Sequence, residues 1–250
     1  MTNPYLYLDI EADGLLEAST QVWCIVAFDG EKYLIWHIDT EEELCYPKTY
    51  IVYKDIQEYL SLLSSYTLVI HNGISYDLPL LDKLYGYKYT VSRDVVVDTL
   101  LLSSLLYPDR EGGHSLESWG ERLKFKKGEH TDWSCFSNTM LQYCIRDVDV
   151  LRRVHLALQE EMQDWDWSQA IDIEYRIADI MTRQESYGVL FDSGKAESLL
   201  SRIEEELSEI ESKALLDIPL TAKAVGKEVM KPFKKNGEYS QAVIDWIGEQ

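Results

Sequence analysis

Acidic side chains recur in this chain at spacings that would bring them together. Asp9 and Glu11 stand two residues apart at the end of an apolar run, in "YLYLDIEADG" (5–14). Residues two apart on a strand face the same side, so both carboxylates would share one face of a strand otherwise built for burial. In "HNGISYDLPLL" (71–81), Asp77 follows Asn72 by five residues at a loop-to-helix transition. In "YCIRDVDV" (143–150), Tyr143 and Asp147 are spaced i, i+4 and share a helix face.

Each feature has a plain reading by itself. Acids at strand ends are commonly solvated, an acid in a first helical turn is favoured by the helix dipole, and a tyrosine near an aspartate makes a surface hydrogen bond. Taken together, four carboxylates converging from a strand, a loop–helix start and a helix would repel one another unless cations compensated them. All-oxygen sites of this kind suit Mg²⁺ or Mn²⁺. Two such ions about 3.5–4 Å apart can stabilise both the attacking and the leaving oxygen of a phosphoryl transfer.

The elements that must position these groups follow from periodicity. Strand-like runs occupy 5–10, 22–28 and 33–37, with the hairpin signal Asp29-Gly30 between the second and third. Residues 55–64 read as an amphipathic helix with Ile56, Tyr59, Leu60 and Leu63 on one face. A fourth strand, "TLVIHNG" (67–73), leads into a helix beginning near Asp77, and a short "VVV" (95–97) precedes the helical "DTLLLSSLL". "EGGHSLESWGERLKF" starts another helix with Ser115 as its N-cap, and 137–162 reads as one long helix. Strands first and helices after predict an α/β fold: a mixed sheet, antiparallel in its first half, flanked by helices.

The character changes at the acidic, aromatic "DWDWSQA", after which 169–187 and 193–215 read as helices. In the first of these, Ile173, Ile177, Ile180 and Met181 form a stripe able to pack on the preceding domain. The tail gathers Lys223, Lys227, Lys231, Lys234 and Lys235.

Composition sets the outer bounds. A chain of 250 residues, 46% hydrophobic, holds one full domain and a smaller second piece. No window approaches the ~18 unbroken apolar residues of a membrane span, and the N-terminus has no signal-peptide pattern, so a cytoplasmic location is expected. The four cysteines (Cys24, Cys45, Cys135, Cys144) form no C-x-x-C pair and read as reduced core residues. The net charge of −20 argues against a strong direct grip on nucleic acid, unless divalent cations fill the acidic cluster or a basic partner supplies the grip.

The D-x-E, N-x-x-x-x-D and Y-x-x-x-D motifs, in this order, resemble those of the DEDDy class of 3′→5′ exonucleases, whose fold is ribonuclease-H-like (DnaQ-like). The likeness is closer to the proofreading domain of family A DNA polymerases, above all the replicative polymerases of small podophages (the T-seven group). "DIEAD", "HNGISYD" and "HSLESWG" (114–120) carry it. "DIEYRIADIMTRQESYGVLFD" (172–192) is similar to the helix by which those chains enter their polymerase part.

The resemblance implies roles. Asp9, Glu11 and Asp147 would hold the metal that activates water, and Asp9 and Asp77 the metal near the leaving oxygen. Tyr143, helped by Glu11, would orient the water. Leu15 would wedge against the terminal base, and Asn72 would fix the loop or a substrate phosphate. His71 and His114 are taken as structural. The implied domains are an exonuclease at 1–167 and the helical start of a polymerase region at 168–250, without palm motifs. The implied activity is removal of nucleotides from DNA 3′ ends as 5′-monophosphates, with two Mg²⁺ (Mn²⁺ able to substitute). Single-stranded DNA 3′ ends and a polymerase body, in the same or a separate chain, are the partners, in the host cytoplasm if the source is viral. The alternatives are an exoribonuclease of the same class and a non-catalytic polymerase-docking module.

Overall fold

The computed structural model describes residues 3–217, 233–235, 237–241 and 243–244. Three strands, β1 (Tyr5–Ala12), β2 (Val22–Phe28) and β3 (Tyr33–His37), form an antiparallel meander. β4 (Tyr50–Tyr53) adds to β3 in parallel. After α1 (Ile56–Leu63), β5 (Thr67–Ile70) returns parallel to β1. After α2 (Asp77–Tyr85), β6 (Val96–Asp98) lies parallel to β5. The six-stranded sheet therefore runs β4-β3-β2-β1-β5-β6, with β1 at its centre. Helices α3 (Thr99–Leu106), α4 (Leu116–Arg122), α5 (Asn138–Glu161), α6 (Ser168–Tyr187) and α7 (Ser193–Asp217) follow.

The alternation of β1 builds a core on each face of the sheet. Leu6, Leu8 and Ile10 enter one core with residues of α1 and α2. Tyr7 enters the other, with Cys24 and Val26 of β2 and the apolar face of α5. Asp9 and Glu11 continue the Tyr7 side, opposite Val26 and Cys24 in the ladder, so both acids lie on the face that α5 covers. α5 starts where Ser137 accepts the Met140 N–H (3.2 Å), and it buries Met140, Leu141, Cys144, Val148, Leu151, Val154 and Leu158. Asp147 occupies a position within this buried stripe.

β4 departs from the sequence expectation: it is a short, exposed edge strand. The fourth expected strand ends early, at Ile70, because Asn72 takes a left-handed φ of 65°. The compact first unit runs from Met1 to Gly188, so α6 belongs to it. The face of α6 that packs inward is Ile171, Tyr175 and Ala178, and the Ile173 stripe stays about half exposed. Tyr175 decides this choice: its buried hydroxyl accepts the Asp98 N–H at 2.8 Å. Of the cysteines, Cys24 and Cys144 are buried as expected, whereas Cys45 and Cys135 are exposed; all four are free.

The second unit, Val189–Gln250, contains α7 and a short bridge between Phe233 and Tyr239, whose rings stack 5.2 Å apart. Lys223, Lys227 and Lys231 lie outside the described residues, while Lys234 pairs with Glu238. Among the described residues, no helix is long and apolar enough to cross a membrane.

The loop between β5 and α2 has no room to spare at Gly73. A Cβ there would lie 2.5 Å from Ile70 Cδ1 and 2.7 Å from Ile70 Cβ, the second of which cannot rotate away. Gly73→Ala is therefore expected to lower stability by about 1–3 kcal/mol, read as an earlier midpoint in urea unfolding.

Candidate active site

The acids gather at the carboxyl ends of the parallel strands, where open α/β sheets commonly bind ligands. Asp9 and Glu11 come from the second half of β1, and Asp77 opens α2 just beyond β5. Asp147 descends onto them from α5, with Tyr143 one turn earlier on the same helix. Glu11, Asp77 and Asp147 are buried, and Asp9 is half-buried.

Their protonation reports how close and how dry the site is. Burial, reinforced by the Asp147 charge, pushes Asp9 up to about 7. Burial and the neighbouring Asp9 push Glu11 up to about 11. Asp77 is raised well above the usual carboxyl range by burial and then by Asp9. Asp147 is raised by burial, against the opposing pull of Lys127. Tyr143 is pushed up to about 12, mainly by burial, and so carries its proton at neutral pH. Each acid destabilises the charge of another, and a cation would relieve all of them.

Two further groups share the cluster. The Cys144 thiol lies 3.5 Å from both the backbone oxygen and Oδ2 of Asp9 and donates to them. Ligand atoms of Asp9, Glu11 and Cys144 all lie within 4.8 Å of one another. Burial holds the Cys144 thiol protonated, so it is a hydrogen-bond donor to Asp9 and not a thiolate ready to ligate. Lys127 reaches in from the loop after α4, with Nζ 2.6 Å from Asp147 Oδ2. Asp147 Oδ1 is buried without a hydrogen bond, an acceptor left over for a cation.

Asp98, the last residue of β6, positions the loop that carries Asn72 and Asp77. Its carboxylate accepts the N–H groups of Asn72 (3.0 Å) and Ile74 (3.2 Å). It also accepts that of Leu100 at the start of α3 (3.0 Å). Sequence reading missed both Asp98 and Lys127. The apolar run around Asp98 hid an acid that can satisfy only backbone donors there, and Lys127 sits in an irregular loop with no periodicity to mark it. His71 bonds Thr99 Oγ1 (2.9 Å), and His114 bonds Ser103 Oγ (2.9 Å) and faces the Pro108 carbonyl. Both ring nitrogens of His114 thus have partners within the fold, and His71 has one through Nδ1.

Leu15 is 81% exposed, yet the turn that bears it is firmly tied. The Asp13 carboxylate accepts from Ser19 Oγ, Thr20 N and Thr20 Oγ1 at 2.6–2.9 Å. Lys83 Nζ donates to the carbonyls of Leu16, Glu17 and Ser19 at 2.8–2.9 Å, and the Tyr76 hydroxyl donates to Gly14 O. An apolar side chain held out into solvent on a rigid turn is suited to contact a ligand.

Residues 1–163 match the family model described as 3'-5' exonuclease, and the chain belongs to that family. It is similar to the DNA-directed DNA polymerase of Escherichia phage T7, 28% identical over 258 residues, which cover 81% of this chain and 35% of the polymerase. The corresponding enzyme of Enterobacteria phage T3 is also 28% identical, over 82% of this chain and 36% of its own length. The chain thus spans about a third of the curated relatives it matches. Among solved structures, Brucella melitensis NrnC is similar with a TM-score of 0.56 at 18% identity, covering 74% of this chain and 87% of NrnC. Escherichia coli RNase D, an exoribonuclease involved in structured RNA processing, is similar with a TM-score of 0.53 at 20% identity, covering 73% of this chain and 46% of its own. These likenesses establish the ribonuclease-H-like, DnaQ-like fold.

The raised carboxyl groups carry a pH signature. A group whose pKa is higher in the folded state contributes stability below its unfolded value and loses it as pH rises through its folded value. For Asp9 that window runs from the usual 3.8 to about 7. In EDTA the protein should therefore become less stable between pH 4 and pH 8. Asp9→Asn should flatten that slope and melt higher than the parent at pH 8, as measured by thermal unfolding at several pH values.

Proposed function

We propose that this chain is a DEDDy-class exonuclease that removes nucleotides from DNA 3′ ends and releases 5′-monophosphates. The reading is carried by one observation: Asp9, Glu11, Asp77 and Asp147 crowd into one desolvated space, with Tyr143 on the same helix as Asp147. The donor set fits a hard divalent ion, because its free acceptors are carboxylate oxygens, Asp147 Oδ1 among them. Two divalent cations, Mg²⁺ with Mn²⁺ able to substitute, would neutralise charge on the attacking and departing oxygens of the scissile phosphate.

Asp9, Glu11 and Asp147 would hold one ion, and Asp9 and Asp77 the other. The Tyr143 hydroxyl, protonated at neutral pH, would hydrogen-bond and orient the attacking water beside Glu11. Leu15 would press against the terminal base and favour an unpaired end. Asn72, held in its left-handed conformation by the Asp98 carboxylate, would face the nucleotide's phosphate or support the loop around it.

The preferred substrate is a single-stranded DNA 3′ end, and the preferred partner is a polymerase body in the same or a separate chain. The half-exposed Ile173, Ile177, Ile180 and Met181 of α6 would lie under that body. A basic surface on that body would offset the net charge of −20 that weakens this chain's own hold on DNA. A second reading, an exoribonuclease, is favoured by the fold shared with RNase D.

The test is a gel of 5′-labelled single-stranded DNA and RNA incubated with Mg²⁺ or with EDTA. DNA should shorten from its 3′ end in Mg²⁺ only. Equal degradation in EDTA would sink the reading, and shortening of RNA alone would favour the alternative. Asp9→Ala with Glu11→Ala should lower DNA hydrolysis by several orders of magnitude while circular dichroism stays unchanged. Tyr143→Phe should cut turnover by ~10- to 100-fold with metal dependence retained, since only the hydroxyl is lost. Leu15→Ala should leave the melting temperature unchanged and raise KM for single-stranded DNA. A variant with wild-type KM would remove Leu15 from the substrate site.

A further inference from the structure

The H-S-L-E-S-W-G stretch and the turn after it supply no group to the mechanism above, yet they deliver a lysine into its centre. α4 is packed closely against that turn at Gly120: a Cβ there would lie 3.1 Å from the Phe125 carbonyl oxygen and 3.3 Å from both Lys126 Cα and Lys127 N. The Phe125 N–H donates to Gly120 O (2.8 Å), and Lys124 takes a left-handed φ of 54° to allow it. From the other side, Arg146 Nε of α5 donates to the Lys126 carbonyl (2.7 Å). Anchored from both helices, the turn sends Lys127 inward. Its side chain is 23% exposed, and its Nζ lies 2.6 Å from Asp147 Oδ2 and 4.9 Å from the Tyr143 ring centre.

We propose that Lys127 is a resident counter-cation of the acidic site, holding Asp147 in the metal-free protein and yielding that carboxylate when a divalent ion binds. The inference rests on the metal-site reading given above. Three observations carry it. The ammonium contacts Asp147, the carboxylate that α5 adds to the acidic cluster, so it occupies a donor that a metal needs. The second oxygen of that carboxylate is buried and without a hydrogen bond, so Asp147 retains an acceptor through which an incoming ion can begin the exchange. The backbone leading into Lys127 is anchored, while its flexible four-carbon stem stays partly open to solvent, so a side-chain motion suffices for the exchange and no loop need open. Lys127 thereby allows four acids to fold together before metal arrives, at the cost of weaker metal binding.

The experiment is a titration of the full chain with Mn²⁺ in the absence of nucleic acid, following free Mn²⁺ by electron paramagnetic resonance. Lys127→Met removes the charge and keeps the stem, and Lys127→Arg keeps a charge. Lys127→Met should bind Mn²⁺ about tenfold more tightly than the parent, or tighter still, since a unit positive charge close to a divalent ion is repulsive even in water. Lys127→Arg should stay near the parent. If Lys127→Met fails to fold, Lys127→Gln reads the same affinity, because it can still donate to Asp147 without the charge. A neutral variant with unchanged or weaker Mn²⁺ affinity would overturn the proposal, since a purely structural lysine has no reason to tighten metal binding when removed. If the parent chain itself binds no Mn²⁺, the metal-site reading falls and this proposal falls with it. If the parent binds and the neutral variant does not bind more tightly, only this proposal falls.

Discussion

Repulsion among carboxylates withdrawn from water is the constraint from which the rest of this structure follows. Burying a single ionised acid is already unfavourable, and burying several side by side compounds the cost unless each finds a donor or a cation. The chain answers locally wherever it can. Lys127 faces Asp147, the Cys144 thiol faces Asp9, and backbone N–H groups face Asp98. The raised protonation of Asp9, Glu11 and Asp77 is the part left unanswered by the protein itself. Without a cation, these acids meet that remaining repulsion by taking up protons.

The scaffold keeps the acids from relaxing apart. β1 runs through the middle of the sheet, held by β5 as far as Tyr7 and by β2 through the acids, so Asp9 and Glu11 cannot retreat without breaking their ladder with β2. α5 is pinned by an apolar stripe along most of its length, and Asp147 sits within that stripe. Asp98 ties the second acidic segment to the sheet by accepting the N–H groups of its loop. Its own N–H reaches Tyr175, so α6 is anchored to the same point.

What could be seen in the sequence was whatever obeyed a period. Asp9 and Glu11 were legible because alternation puts them on one face of a strand, and Tyr143 with Asp147 because a helix brings i and i+4 together. The antiparallel first half of the sheet and the long helix α5 followed from the same patterns. β4 escaped because Tyr50–Tyr53 is short, exposed and without contrast between its two faces. The inward face of α6 was misjudged because hydrophobicity favoured the isoleucines, whereas the buried hydroxyl of Tyr175 had a partner waiting in Asp98. Lys127 escaped for a different reason: its position depends on the fit of Gly120 to a turn, which is a property of packing and not of spacing.

The separation in sequence between Asp9 and Asp147 has a consequence for how the protein is made. Synthesis proceeds from the N-terminus, so β1, with two of the acids, emerges well before α5. The meander of β1, β2 and β3 can pair soon afterwards, since its contacts are short-range. Neither Lys127 nor α5, the helix that covers the acid-bearing face, exists at that stage. Until α5 follows, Asp9 and Glu11 lie open to water, where ionised acids are well solvated and discourage premature sheet-to-sheet association. The same two acids lose most of that contact with water only when α5 closes over their face of the sheet.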